Sequence, residues 1–195
     1  VDDRASSRLD GCPVQLVCTT CHTPLTARHD SFECPACGSV FAVAEGVPVF
    51  HPQATLYRNY DDIWELDKEF CAPTLFHRFL GSALKYWTYR ERVYAQRHLV
   101  RGGDSLDLGC WTGSYTYARL SRTVTGIDLT LSAAQVASQH YNFAVQGSVA
   151  CLPFAAGSFD CVVSAHLIGH VPAANKDAVV AEIHRVLKPG GKSVH

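Results

Sequence analysis

The chain has 195 residues, a formal net charge of −1, 47% hydrophobic and 18% charged residues, and a mean hydropathy of +0.01. Such a composition suits one α/β domain with a small module attached, and it excludes collagen-like, low-complexity or strongly polyelectrolytic chains. No apolar run reaches the roughly 18 residues a membrane helix needs, and the opening VDDRASSRLDG lacks signal-peptide layout, so a cytoplasmic setting with no membrane span is expected. The chain opens at Val1 and holds no Met, so its natural start is expected upstream.

Four of the nine cysteines form two Cys-x-x-Cys pairs, Cys18 with Cys21 and Cys34 with Cys37, twelve residues apart. One tight turn brings two thiolates to one ion, and two such turns supply the four soft ligands that zinc prefers. Pro35 and Gly38 suit the second turn. Four protein ligands leave no open coordination position, so the expected Zn2+ is structural. His22 and His29 are rival ligands that such a site does not need, and they are expected on the surface. Cys12, Cys71, Cys110, Cys151 and Cys161 are scattered and expected to be reduced, mostly as small buried hydrophobes. VFAVAEGVPVF then reads as a strand and turn that close a ribbon over residues 12–52. The pattern resembles the ribbon modules of some bacterial ribosomal-RNA guanine methyltransferases and of small methyltransferase-activating proteins.

Residues 53–101 carry apolar and aromatic side chains at three- and four-residue steps, which predicts a helical connector or lid. Residues 76–101 hold six Lys/Arg against one Asp/Glu, interleaved with Tyr86, Trp87, Tyr89 and Tyr94. That mixture would suit an RNA backbone with unstacked bases, but the charges fall all round the helix, as on a solvated face.

SLDLG (residues 105–109) is a short apolar strand running into Gly109-Cys110-Trp111-Thr112-Gly113, and SYTYARL then begins a helix. A strand, a glycine turn and a helix start make a nucleotide site. A second strand, VTGID, ends in Asp128, 21 residues after Asp107, where an acidic residue grips ribose hydroxyls. Those features alone would also fit a nicotinamide nucleotide.

DLGCWTG, GIDLT, GSVACLPFAAGSFDCVVSAHLIGHV and EIHRVLKPGG follow one another in order. Together they resemble the class I S-adenosylmethionine-dependent methyltransferases, in particular the group containing the ubiquinone and menaquinone methyltransferases. The resemblance covers about residues 90–195. It implies an α/β, Rossmann-like class I methyltransferase fold for residues 102–195, with the small N-terminal zinc ribbon in front of it. It also implies S-adenosylmethionine as cofactor. By the same resemblance Asp107 lies near the methionine ammonium, while Gly109, Cys110 and Gly113 shape the loop. Asp128 takes the ribose hydroxyls, Leu129 flanks the adenine, and Ser148, Leu152 and Phe154 close the pocket beside that base. Two positions depart from the family pattern: Trp111 replaces the middle glycine of the loop, and Ser148 replaces an Asp that accepts from the adenine amine. Trp111 demands an allowed φ or a re-routed loop.

The strand FDCVVSA leads to His166 and His170, which fall where a methyl acceptor should wait. Histidine can take a proton from a hydroxyl or activated carbon, and His166 is the better candidate for that catalytic role. His170, Tyr57 and Tyr60 are substrate-pocket candidates, with helix packing as their plainer role. AANKDAVVAEIHRVL predicts an amphipathic helix that Lys188-Pro189-Gly190-Gly191 should end, and Lys192–His195 should begin a fifth strand. The family adds further strands, so the natural chain is expected to continue. The expected function is methyl transfer to a small-molecule acceptor. RNA methylation and a non-catalytic methyltransferase-like scaffold are the alternatives.

Overall fold

The computed structural model describes residues 12–51, 97, 101–113, 120–165 and 167–195. The expected connector helices, Tyr57, Tyr60, the start of the helix after Gly113, and His166 lie outside the described residues. Residues 12–51 and 101–195 belong to one compact unit.

Its N-terminal part is a four-stranded antiparallel sheet in the order β1-β2-β3-β4, made of β1 (Thr26–Ala27), β2 (Ser31–Glu33), β3 (Val40–Ala44) and β4 (Val47–Pro48). Glu45 (φ 51°) and Gly46 (φ 81°) join β3 to β4, and two successive positive φ angles are what a tight two-residue hairpin requires. The closing strand and turn expected from VFAVAEGVPVF are therefore present. Phe32, Phe41 and Phe50 give this small sheet its apolar side, with the Phe41 and Phe50 rings 4.9 Å apart.

The remainder is a five-stranded parallel sheet in the order β7-β6-β5-β8-β9. Its strands are β5 (Asp104–Leu108), β6 (Thr123–Asp128), β7 (Phe143–Gln146), β8 (Phe159–Ser164) and β9 (Leu187–Val194). Two helices are described, α1 (Leu131–Ala137) and α2 (Ala173–Val186). β5 and β7 are buried at every position, as expected of strands covered on both faces. The chain runs from β5 outward through β6 to β7, then returns to the other side of β5 for β8 and β9. The strand order reverses at β5, and in such sheets ligands bind outside the carboxyl ends of the strands at that reversal.

α2 begins at Ala173 as its periodicity predicts, but it ends at Val186, before the proline-glycine punctuation. β9 already starts at Leu187, opposite Phe159, and Lys192 stands opposite Cys161. The Pro189-Gly190 step therefore bulges out of the strand. Proline disfavours helical backbone at the residue before it, so the chain turns extended sooner than the glycines alone suggest.

Ribbon and parallel sheet share one apolar cluster: Leu16, Phe32 and Phe50 pack in it together with Leu106, Leu152, Phe154 and Val186. Leu16 bridges Phe154 in antiparallel fashion, and Val49 bridges Gln146 in parallel. The Val17 amide donates to the Pro153 carbonyl and the Ala155 amide to the Gln15 carbonyl, both at 3.0 Å. The ribbon thus adds main chain to the loop after β7 and to the β7 edge of the sheet.

Candidate cofactor and metal sites

The four ribbon cysteines converge. Cys18 and Cys37 Sγ are 3.6 Å apart, Cys21 and Cys34 Sγ 3.4 Å, and Cys21 and Cys37 Sγ 3.7 Å. All four sulfurs lie within 4.8 Å of one another. Zn–S bonds of about 2.3 Å place tetrahedral sulfurs roughly 3.8 Å apart, so the donor set fits a zinc ion. The two knuckles are built alike. The Cys18 amide donates to the Thr23 carbonyl and the His22 amide returns to the Cys18 carbonyl, both at 2.9 Å. In the second knuckle the Cys34 amide donates to the Ser39 carbonyl at 2.8 Å and the Gly38 amide to the Cys34 carbonyl at 3.0 Å. His22 (φ 56°) therefore takes the left-handed position that Gly38 (φ 74°) takes in the second knuckle. It is exposed, as is His29, so both are surface histidines as expected. Ser39 Oγ lies 3.1 Å from Cys37 Sγ, and hydrogen bonds from Ser39 pull that thiol down to about 6, toward the thiolate that metal binding needs.

The second site lies at the carboxyl ends of β5 and β6. The loop after β5 turns back through Gly109 (φ 63°), Trp111 (φ 50°) and Gly113 (φ 85°). A Cβ on Gly113 would stand 2.5 Å from His140 Nε2, so only glycine closes the loop there. Trp111 adopts the left-handed conformation, which glycine takes more readily than a residue with a Cβ. Its amide donates to Asp128 Oδ2 at 2.9 Å, and the Thr130 amide donates to Asp128 Oδ1 at 2.9 Å. Each carboxylate oxygen keeps a second lone pair, so Asp128 can still accept ligand hydroxyls. Burial raises the Asp128 pKa against these two amides, which lower it.

Asp107 is buried near the end of β5 and accepts a hydrogen bond from Tyr141 Oη at 2.7 Å. Burial pushes its pKa up to about 7, the Tyr141 hydroxyl opposes the shift, and the nearby Asp128 adds to it. Cys110 lies in the loop, but its thiol packs into a small core with Val124, Ala137, Tyr141 and Ala144 and is pushed well up by burial. Its Sγ also donates to the Trp111 carbonyl at 3.6 Å. Leu129 is half-buried, and its carbonyl accepts from Gln146 Nε2 at 2.8 Å. Ser148 Oγ accepts from the Ala150 amide at 3.3 Å. Leu152 is fully buried, and its amide donates to Glu182 Oε2 at 2.6 Å. His170 is exposed in the turn before α2, with its amide donating to the Leu167 carbonyl at 2.9 Å. It is therefore not packed into the start of that helix.

Several contributors escape a sequence reading. Tyr141, Gln146 and the Trp111 amide act on residues 17 to 34 positions away or further, with no motif to announce them. At the carboxyl ends of β8 and β9, Ser164 Oγ lies 2.8 Å from His195 Nδ1, and burial lowers the His195 pKa. Only the placement of both residues at the ends of strands hinted at that pair.

The parallel order with its reversal at β5, the glycine loop, and carboxylates closing β5 and β6 define a Rossmann-like nucleotide-binding domain. Residues 106–195 match the family described as a methyltransferase domain. The chain is 37% identical over 123 residues to a demethylmenaquinone methyltransferase of Staphylococcus aureus, covering 56% of this chain and 48% of that protein. An arsenite methyltransferase of Aquipseudomonas alcaligenes is 34% identical over 113 residues, covering 48% of this chain and 32% of that one. The chain thus spans about a third to a half of the length of these relatives. Among solved structures, one chain of the complex between the Haloferax volcanii Trm112 methyltransferase activator and a methyltransferase aligns with a TM-score of 0.51 at 26% identity, over 69% of this chain and 58% of that one.

Proposed function

We propose that the protein transfers the methyl group of S-adenosylmethionine to a small-molecule acceptor, with the ribbon as a structural zinc module. The observation that carries this reading is the loop from Gly109 to Gly113, strung between the buried carboxyl groups of Asp107 and Asp128. S-adenosylmethionine, when bound, supplies an electrophilic methyl carbon on a sulfonium. The chain's own work is then alignment. Asp128 accepts ribose hydroxyls with lone pairs its two amide donors leave free. Asp107 offers a carboxyl group to the ammonium of the methionine part, and Gly109 and Gly113 let the main chain approach closely. Leu129, Ser148 and Leu152 form the adenine side. Where the acceptor is a hydroxyl or activated carbon, His166, two residues after Ser164 in sequence, is the assigned base, and His170, Tyr57 and Tyr60 are kept as the substrate-pocket candidates that the sequence offers.

The named acceptors of the similar proteins, arsenite and demethylmenaquinone, are both small molecules but share no chemistry, so they support the size of the acceptor and not its identity. No described residue favours RNA over a small acceptor. The bond from the Trp111 amide to Asp128 Oδ2 supports a formed loop over a degenerate scaffold. Calorimetric titration of S-adenosylhomocysteine into zinc-loaded protein tests the reading. Micromolar binding that Asp128→Ala abolishes is expected. A folded chain that binds no S-adenosylhomocysteine would leave only the scaffold.

A further inference from the structure

The ribbon's last residues reach beyond the ribbon. Val49 stands opposite Gln146 in parallel register, and Gln146 is the last residue of β7. Phe50 and His51 therefore run on past the carboxyl end of β7, the side of a parallel sheet where ligands bind. Gln146 holds them there through every polar group it owns except its own amide. Its carbonyl accepts from the Phe50 amide at 2.8 Å, its Oε1 accepts from the His51 amide at 3.1 Å, and its Nε2 donates to the His51 carbonyl at 2.8 Å. The same Nε2 donates to the Leu129 carbonyl at 2.8 Å. One side-chain nitrogen thus fixes His51 beside the residue assigned to the flank of the adenine.

At this position the His51 imidazole carries a buried Nδ1 with no hydrogen-bond partner. Buried polar nitrogens almost always have one, and an unmet group costs stability. Among the described residues, the Gln146 side-chain amide that holds His51 is already engaged with the His51 and Leu129 main chain. A purine edge offers both an exocyclic amine and ring-nitrogen acceptors, so it complements Nδ1 in either tautomer of the neutral ring. We infer that His51, supplied by the ribbon, hydrogen bonds to the polar edge of the cofactor's adenine through Nδ1. The ribbon then completes the cofactor site. This rests on the methyltransferase reading above.

The test is calorimetric titration of S-adenosylhomocysteine into the zinc-loaded full chain, as wild type, His51→Phe, His51→Asn and Asp128→Ala. Phenylalanine keeps a ring but removes Nδ1, whereas asparagine returns a polar atom close to the place of Nδ1. Gln146 grips His51 by main-chain atoms, so both variants keep the clamp, and His51→Leu serves should the larger ring not fit. His51→Phe is expected to bind about tenfold more weakly, the loss of one good hydrogen bond to ligand, and His51→Asn to recover most of that loss. The ligand-free Tm of His51→Phe is expected to be unchanged or higher, since an unpaired buried nitrogen is gone. Wild-type affinity in His51→Phe would overturn the inference. So would a loss of affinity matched by a lower ligand-free Tm that His51→Asn does not restore, since that pattern belongs to a structural role. Wild-type protein that fails to bind S-adenosylhomocysteine would overturn the methyltransferase reading itself. Binding abolished by Asp128→Ala but indifferent to His51→Phe would overturn the inference alone.

Discussion

Asp107 is an acid kept where water hardly reaches it, at 3% exposure, and its pKa of about 7 is the consequence. The sign of its effect on stability follows from linkage. An acid whose folded pKa exceeds its ordinary value of 3.8 binds its proton more tightly in the folded state. Its stabilising contribution is complete below about pH 4, declines as pH rises toward 7, and is a constant cost above that. The ligand-free wild type should therefore lose stability between pH 5 and pH 7.5 relative to Asp107→Asn, which has no proton to lose. Urea denaturation across that range measures it, and parallel profiles for the two proteins would show that Asp107 is not the group responsible. The Asp107 position was legible from DLGCWTG, but its protonation was not. The burial that raises its pKa is made by strands on both sides of β5 and by Tyr141, 34 residues away, none of which a local pattern encodes.

Among the elements, α2 does more than cover the sheet. Glu182 is buried on it, and Arg185, one turn on, spans Glu182 and two carbonyls of the loop after β7. Arg185 Nε donates to Glu182 Oε1 at 2.6 Å, Nη1 to the Phe154 carbonyl at 2.6 Å and Nη2 to the Leu152 carbonyl at 2.9 Å. Arg185→Ala would leave the buried Glu182 carboxylate with the Leu152 amide as its remaining donor, and would take the donor from the Leu152 and Phe154 carbonyls. Breaking such a cluster from one side costs more than an exposed ion pair would, about 2–4 kcal/mol of unfolding free energy. Chemical denaturation checks this, and a loss under about 0.5 kcal/mol would mean that water replaces the guanidinium. The helix itself was legible from its periodicity, and so were the knuckles, the strand-turn-strand closing the ribbon and the glycine loop, because each is fixed by neighbours in sequence. The start of β9 at Leu187 was not, because it depends on pairing with Phe159, 28 residues earlier.

At the scale of the molecule, the bond between ribbon and sheet was the least legible feature and carries the largest consequence. Two Cys-x-x-Cys pairs announce a module, and nothing in their spacing says what the module leans on. The structure places Leu16, Cys18 and Phe50 in one apolar cluster with Leu152, Phe154 and Val186. Main-chain bonds join Val17 to Pro153, Gln15 to Ala155 and Phe50 to Gln146, and Cys151 Sγ donates to the Thr19 carbonyl inside the first knuckle at 2.8 Å. With zinc in the four-cysteine site as proposed, a ribbon this small would depend on the metal for its knuckles, and removing it would release residues 15–19 and 49–51 from the sheet. Those three main-chain bonds are worth about 1 kcal/mol each, and each kcal/mol shifts Tm by roughly 2–4 °C in a domain of this size. Zinc chelation should therefore lower the Tm of the whole compact unit by about 10 °C. It should also raise amide exchange at Pro153-flanking residues 152–155, far along the chain from any cysteine of the cluster. Calorimetry and hydrogen exchange on chelated and zinc-loaded protein measure both. An unchanged Tm, with exchange raised only in residues 15–40, would mean that the ribbon folds and fails alone, and that the sheet holds its nucleotide loop without it.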